Sequence, residues 1–95
     1  MIKVVAKHYV KEDKIQDVIE LAKELAAITV KEDGCIKYEM YQDEKDKAIL
    51  TMIEEWENKK VLEKHMASEH FKRIVPIMGE FMTKPEEINI YSKVV

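Results

Sequence analysis

Ninety-five residues with 46% hydrophobic and 37% charged side chains, and only two glycines and two prolines, describe a globular chain with room for one core and exclude a disordered protein. The net charge is -3 and the lysines are scattered among glutamates, which excludes the clustered basic footprint of a nucleic-acid module. No uncharged run approaches the ~20 residues of a membrane helix and the start, MIKVV, lacks signal-peptide layout, so the expectation is one soluble, cytoplasmic domain over residues 1–95.

Residues 2–10 (IKVVAKHYV) alternate, with Ile2, Val4, Ala6, His8 and Val10 on one face and Lys3, Val5, Lys7 and Tyr9 on the other, which predicts a strand. From about Glu12 to Val30 the spacing becomes helical: Ile15, Val18, Ile19, Ala22, Leu25, Ala26, Thr29 and Val30 form one stripe. Asp33-Gly34 ends that helix, glycine tolerating the left-handed backbone that follows. Residues 35–42 (CIKYEMYQ) predict a second strand with Ile36, Tyr38 and Met40 on one face and Cys35, Lys37, Glu39 and Tyr41 on the other. The polar cluster 43–47 reads as a hairpin loop, so residues 48–56 (AILTMIEEW) return antiparallel. The first six residues of this third strand are apolar on both faces, which implies cover on both.

Asn58 then caps a helix whose stripe is Val61, Leu62 and Met66, with His65 inside it and so turned toward the sheet. Ser68 can cap a further segment with Phe71, Ile74, Val75 and Met78 at helical spacing, and Pro76 predicts a kink or break between Lys72 and Pro76. Pro85 precedes a last strand over residues 87–93. The order β-α-β-β-α-β is the ferredoxin-like split βαβ plan, an α+β fold with a four-stranded antiparallel sheet and helices on one face. Val5, Tyr9, Ile49 or Leu50, and Tyr41 on the uncovered side call for a second copy, so a homodimer with the two sheets facing as an α+β barrel is expected.

The single cysteine, Cys35, rules out an internal disulfide and a thiol-rich metal site, and reads as a small residue at a strand start. No metal is expected, because His65 and His70 are five apart, a poor spacing for sharing an ion on one helix.

With this element order in place, Gly34-Cys35 with Tyr38, Glu54 with Trp56, Asn58, His65 nine residues after Trp56, and Ser68 with His70 and Phe71 resemble the pattern of the antibiotic biosynthesis monooxygenase family. These are small dimeric α+β barrels that include quinol monooxygenases. The resemblance covers nearly the whole chain; its motifs locate the fold well and the reaction poorly, since one fold serves several activities. A haem-degrading branch carries an Asn on its first strand, a Trp where His65 stands and a His ten residues on; Ala6, His65 and Val75 disfavour that chemistry here. An isomerase branch acting on a phosphorylated sugar-like signal shares the stretch from His65 to Phe71. It needs cations at a phosphate, for which Lys7, Lys37 and Arg73 are available without any being singled out.

His65 has a side chain suited to proton transfer near neutral pH, and the same position would equally suit a core histidine bonded to a carboxylate. Glu54 and Trp56 share a sheet face with Leu50 and Met52; a buried Glu54 must be paired, to His65, to substrate or to a lysine. Trp56 is a core anchor and a candidate stacking platform. His8 shares its face with Val4, Ala6 and Val10 and reads as a core, dimer-rim or pocket histidine, while His70 reads as a half-exposed helix-start residue or a gate. The six methionines suit a soft core, and Met40, Met52 and Met66 would also suit a pocket for a flat ring.

What the resemblance implies is oxidation of a quinol or related dihydroxy-aromatic by O₂, without metal, flavin or haem, with His65 as base oriented by Glu54. Tyr38, Met40, Met52, Trp56 and Phe71, with His8 and His70, would line the pocket. The sequence has no glycine-rich dinucleotide loop, P-loop or Cys/His cluster. The alternatives are isomerisation of a small phosphorylated ketose and a non-catalytic dimeric binding module.

Overall fold

A computed structural model describes all of residues 1–95. The chain runs β1 (Ile2–Tyr9), a 3-10 turn (Glu12–Lys14), α1 (Ile15–Thr29), β2 (Cys35–Gln42), β3 (Ile49–Trp56), α2 (Lys59–Met66), α3 (Glu69–Glu80) and β4 (Glu87–Ser92). The four strands form one antiparallel sheet in the order β2-β3-β1-β4. This is the ferredoxin-like order expected from the sequence, and the apolar period of each segment is what selects it.

Alternation decides which side chains face the helices. Ile2, Val4, Ala6 and His8 of β1 and Leu50, Met52, Glu54 and Trp56 of β3 are buried, while the odd-numbered residues of both strands lie on the open side. Val18, Ala22, Leu25 and Thr29 of α1 and Ile74 and Met78 of α3 close over that face. Val5, Thr51 and Ile53 on the open face remain half-buried, and Tyr41 is half exposed.

The second strand departs from strict alternation. Cys35 pairs with Trp56 and Lys37 with Glu55, so Ile36 is the extra residue of a bulge. The bulge turns Ile36 out to solvent and returns Cys35 to the helix side with Tyr38 and Met40, reversing the faces expected for residues 35 and 36.

Both predicted caps form: Asn58 Oδ1 accepts from the Val61 N–H at 3.0 Å, and Ser68 Oγ accepts from the Phe71 N–H at 3.3 Å. Pro76 does not break its helix. It lies on the solvent side of α3, where water can satisfy the Lys72 carbonyl that it leaves without a donor, and the chain bends instead at Ala67-Ser68, between α2 and α3. Gly34 has φ +86, and a Cβ placed there would lie 2.7 Å from Val61 Cγ1. A glycine is therefore required twice over, for its backbone and for the close passage of α2.

Candidate active site

Trp56 ends β3 with no solvent exposure, and the His65 ring lies over it at a centroid distance of 4.7 Å. Tyr38 meets the same imidazole edge-on at 5.2 Å and Phe71 at 5.1 Å. His65 is held at 1% exposure by α2, which Asn58 starts and the Ser68 turn ends. Ser68 Oγ donates to the His65 backbone carbonyl at 2.6 Å, fixing the helix end on which the ring is carried.

The partner of that ring is Glu32. His65 Nδ1 donates to Glu32 Oε2 at 2.7 Å, and His70 Nε2 reaches the same oxygen at 2.8 Å. A carboxylate on Nδ1 selects the tautomer whose Nε2 is an acceptor, the arrangement by which a base is oriented in catalytic triads. His65 Nε2 is buried and has no partner in the protein. Burial depresses the His65 pKa below its usual 6.5, opposed by the hydrogen bond and charge of Glu32, so the neutral form is favoured near neutral pH.

The expectation that Glu54 orients His65 is corrected by this geometry. Glu54 Oε1 accepts from Trp56 Nε1 at 2.9 Å, since both side chains leave β3 on one face two residues apart. Glu54 is 7% exposed, and burial raises its pKa to about 7 against the lowering effects of the indole hydrogen bond and His8. Burial also raises the Tyr38 phenol, with the nearby charges of Glu54 and Glu32 acting in the same direction.

A cavity of about 500 Å³ lies between the sheet and α3. Of the expected residues, His65, Glu54, Tyr38, Met52, Phe71 and His8 line it. Trp56, Met40 and His70 do not: Trp56 is sealed behind the His65 ring, Met40 sits on β2 at the margin of the core, and His70 turns toward Glu32. Met66 is largely exposed yet borders the cavity.

Sequence reasoning missed Glu32 and the segment Met82 to Glu86, which walls the cavity together with Val75 and Met78. Glu32 lies in the polar turn before Gly34, where a carboxylate carries no pattern that separates it from Asp33.

Glu32, His65 and His70 offer three ligand atoms within 4.8 Å of one another, a donor set acceptable to a divalent transition ion. The helical-spacing argument against their meeting fails because the two histidines stand on different helices. Both nitrogen–oxygen distances are those of hydrogen bonds to one carboxylate oxygen. The cations considered for a phosphate lie elsewhere: Lys37 contacts Glu55, Arg73 contacts Glu24 and Glu69, Lys7 lies by the Tyr9 ring, and none lines the cavity. Lys84 is the cation that does.

Fold and site together define a small α+β sheet domain with a carboxylate-bound imidazole buried in the wall of an apolar hollow. The profile of the family described as Antibiotic biosynthesis monooxygenase matches residues 1–76, and the chain belongs to that family. The crystal structure of a conserved protein from Methanosarcina mazei Go1 is similar at 47% identity and a TM-score of 0.96, covering 98% of this chain and 92% of that one. A crystal structure described as an antibiotic biosynthesis monooxygenase is similar at 33% identity and a TM-score of 0.95 over 100% of both chains. An uncharacterized Synechocystis sp. (strain ATCC 27184 / PCC 6803 / Kazusa) protein, sll1783, is 33% identical over 82 residues; the match takes in 86% of this chain and 56% of that protein, so the chain spans little more than half of that relative's length. No helix is long and apolar enough to cross a membrane.

Proposed function

We propose that the chain oxidises a quinol or related dihydroxy-aromatic with O₂, the substrate itself supplying the electrons. The observation that carries this reading is His65: a sealed imidazole with Nδ1 on Glu32 and a free Nε2, in a residue lining an apolar cavity of about 500 Å³. A small shift of the His65 ring that brings Nε2 to the cavity surface lets it take the phenolic proton, and the phenolate passes one electron to O₂, giving an aryloxyl radical and superoxide. These recombine through a C–O bond at the hydrogen-bearing ring carbon ortho to the phenolate oxygen. The peroxide O–O bond then breaks as that carbon loses its hydrogen, a new C=O forms, and one oxygen leaves as water after taking the proton held by His65. Met52, Val75, Met78 and Phe71 keep competing water away from the anion.

Membership of the monooxygenase family supports this reading. Lys84 is the one lysine or arginine that lines the cavity, and the carboxylates of Glu54 and Glu86 line it too, which favours oxidation over isomerisation of a phosphorylated ketose. The test is turnover of a naphthoquinol by metal-free protein in air and under argon. Acceleration above autoxidation, lost in His65→Ala, is expected; a rate no greater than autoxidation would overturn the proposal.

The half-buried apolar face of Val5, Thr51 and Ile53, with the exposed ring of Tyr41, supports assembly as a homodimer through the open side of the sheet.

A further inference from the structure

The Nδ1 edge of the His65 ring belongs to a second arrangement, outside the cavity. Glu32 in the turn after α1, His65 in the last turn of α2 and His70 in the first turn of α3 bring one carboxylate oxygen and two imidazole nitrogens within 4.8 Å of one another. Neither Glu32 nor His70 lines the cavity. The Glu32 and His70 side chains are 19% and 12% exposed against 1% for His65, so the cluster is reached from solvent past those two residues.

Charge, spacing and support all suit these atoms to a cation. The two imidazoles are the only ion-pair partners of Glu32, and no lysine or arginine reaches it, so the cluster has a fixed negative charge and no fixed positive one. An ion about 2.1 Å from each ligand atom sets ligand–ligand edges of about 3.0–3.4 Å. Two edges here are 2.7 and 2.8 Å, so a slight opening of each makes room. Ser68 Oγ donates to the His65 carbonyl at 2.6 Å and accepts from the Phe71 N–H, which fixes the junction of α2 and α3 and with it the separation of the two histidines. Two imidazoles and one carboxylate suit zinc and its divalent first-row neighbours, whereas magnesium and calcium are bound through oxygens. Three protein ligands leave a further position for water.

We propose that Glu32, His65 and His70 form a binding site for a divalent transition ion of the zinc type, and that its occupation converts His65 from the Nδ1–H to the Nε2–H tautomer. An ion on Nδ1 uses the lone pair there, so the ring proton moves to Nε2; the ring stays neutral and no proton is gained or lost. Nε2 has no partner in the protein, so the move breaks no hydrogen bond at that end of the ring. The metal-bound ring then has a donor where the metal-free ring has an acceptor, and it cannot take a phenolic proton. That last consequence rests on the oxidation reading; the binding and the tautomer change do not.

The test is titration of the EDTA-treated, buffer-exchanged chain with Zn²⁺ by calorimetry. One ion per chain is expected, and Glu32→Gln and His70→Gln should each weaken binding by about 100-fold or more. If either variant fails to fold, ¹⁵N NMR of the wild-type histidine rings gives the same answer: Zn²⁺ moves the His65 proton to Nε2 and the His70 proton to Nδ1, and leaves His8 unchanged. No saturable binding at one ion per chain, equal affinity in both variants, or a His65 ring that keeps its Nδ1 proton at saturation would each overturn the proposal. Naphthoquinol oxidation by metal-free protein should slow by about 10²-fold or more at saturating Zn²⁺. Binding with the tautomer change but no oxidation by the metal-free protein upholds the site and removes the reaction. Oxidation that continues unslowed with the site filled upholds the site and removes His65 as the base.

Discussion

Glu32 Oε2 lies 2.7 Å from His65 Nδ1, joining a polar turn after α1 to a sealed position on α2, 33 residues away in sequence. The contact gives the imidazole a fixed tautomer and orientation, and stabilises the imidazolium that forms when Nε2 takes a proton.

Replacing that carboxylate therefore acts on the proton-transfer step more than on binding. Glu32→Gln is expected to lower kcat for a naphthoquinol by about 10²-fold, and His65→Ala by about 10²–10⁴-fold. Steady-state kinetics in air would check both; a Glu32→Gln enzyme with unchanged kcat would show that the dyad is structural.

The acid limb of the rate should report His65. Its pKa is depressed by burial, with Glu32 opposing, so the active neutral form persists below the ordinary 6.5. The rate is expected to rise through a midpoint below that value and stay level to neutrality, with Glu32, His70 and Tyr38 as the polar groups facing the ring. A kcat/KM–pH profile, which reports the free enzyme, with its acid midpoint above 6.5 would contradict the assignment.

Glu54 makes the fold itself sensitive to pH. Its pKa is raised from 4.5 to about 7 by burial, so its contribution to stability is full below the unfolded value and lost as pH rises through the folded one. The loss is on the order of 3 kcal/mol. His65, shifted the other way, contributes above 6.5 and loses that contribution as pH falls. Glu54→Gln keeps an acceptor for Trp56 Nε1 and removes the first dependence alone. Urea midpoints should show this variant more stable than wild type at about pH 8, with the difference mostly gone at about pH 5.

The two glycines make opposite predictions. Gly34→Ala meets both a left-handed backbone and Val61 at 2.7 Å, and is expected to destabilise by about 2 kcal/mol or more. Gly79, inside α3, has open space where a Cβ would sit, and Gly79→Ala is expected to stabilise by about 0.5–1 kcal/mol. Thermal unfolding of both variants tests the pair.

Sedimentation tests the assembly. A dimer at micromolar concentration is expected, and an Ile53→Lys substitution on the open sheet face should shift it toward monomer. A wild-type chain that sediments only as monomer would remove the proposed interface.

Local pattern by itself was enough for the strand and helix order, the caps at Asn58 and Ser68, the glycine at position 34 and the inward turn of His65, because periodicity and capping are properties of neighbouring residues. The antiparallel pairing of β2 and β3 followed from the short polar loop between them. What only the tertiary structure decided was which groups meet. Glu32 looked like any turn carboxylate until the bend at Ala67-Ser68 turned His70 and His65 onto it. Trp56 kept Glu54 because a side chain two residues away on the same strand is closer than one on a helix. The bulge at Ile36 and the unbroken helix through Pro76 depend on what lies opposite each residue, across a strand pair or toward water, and no spacing within a segment contains that information.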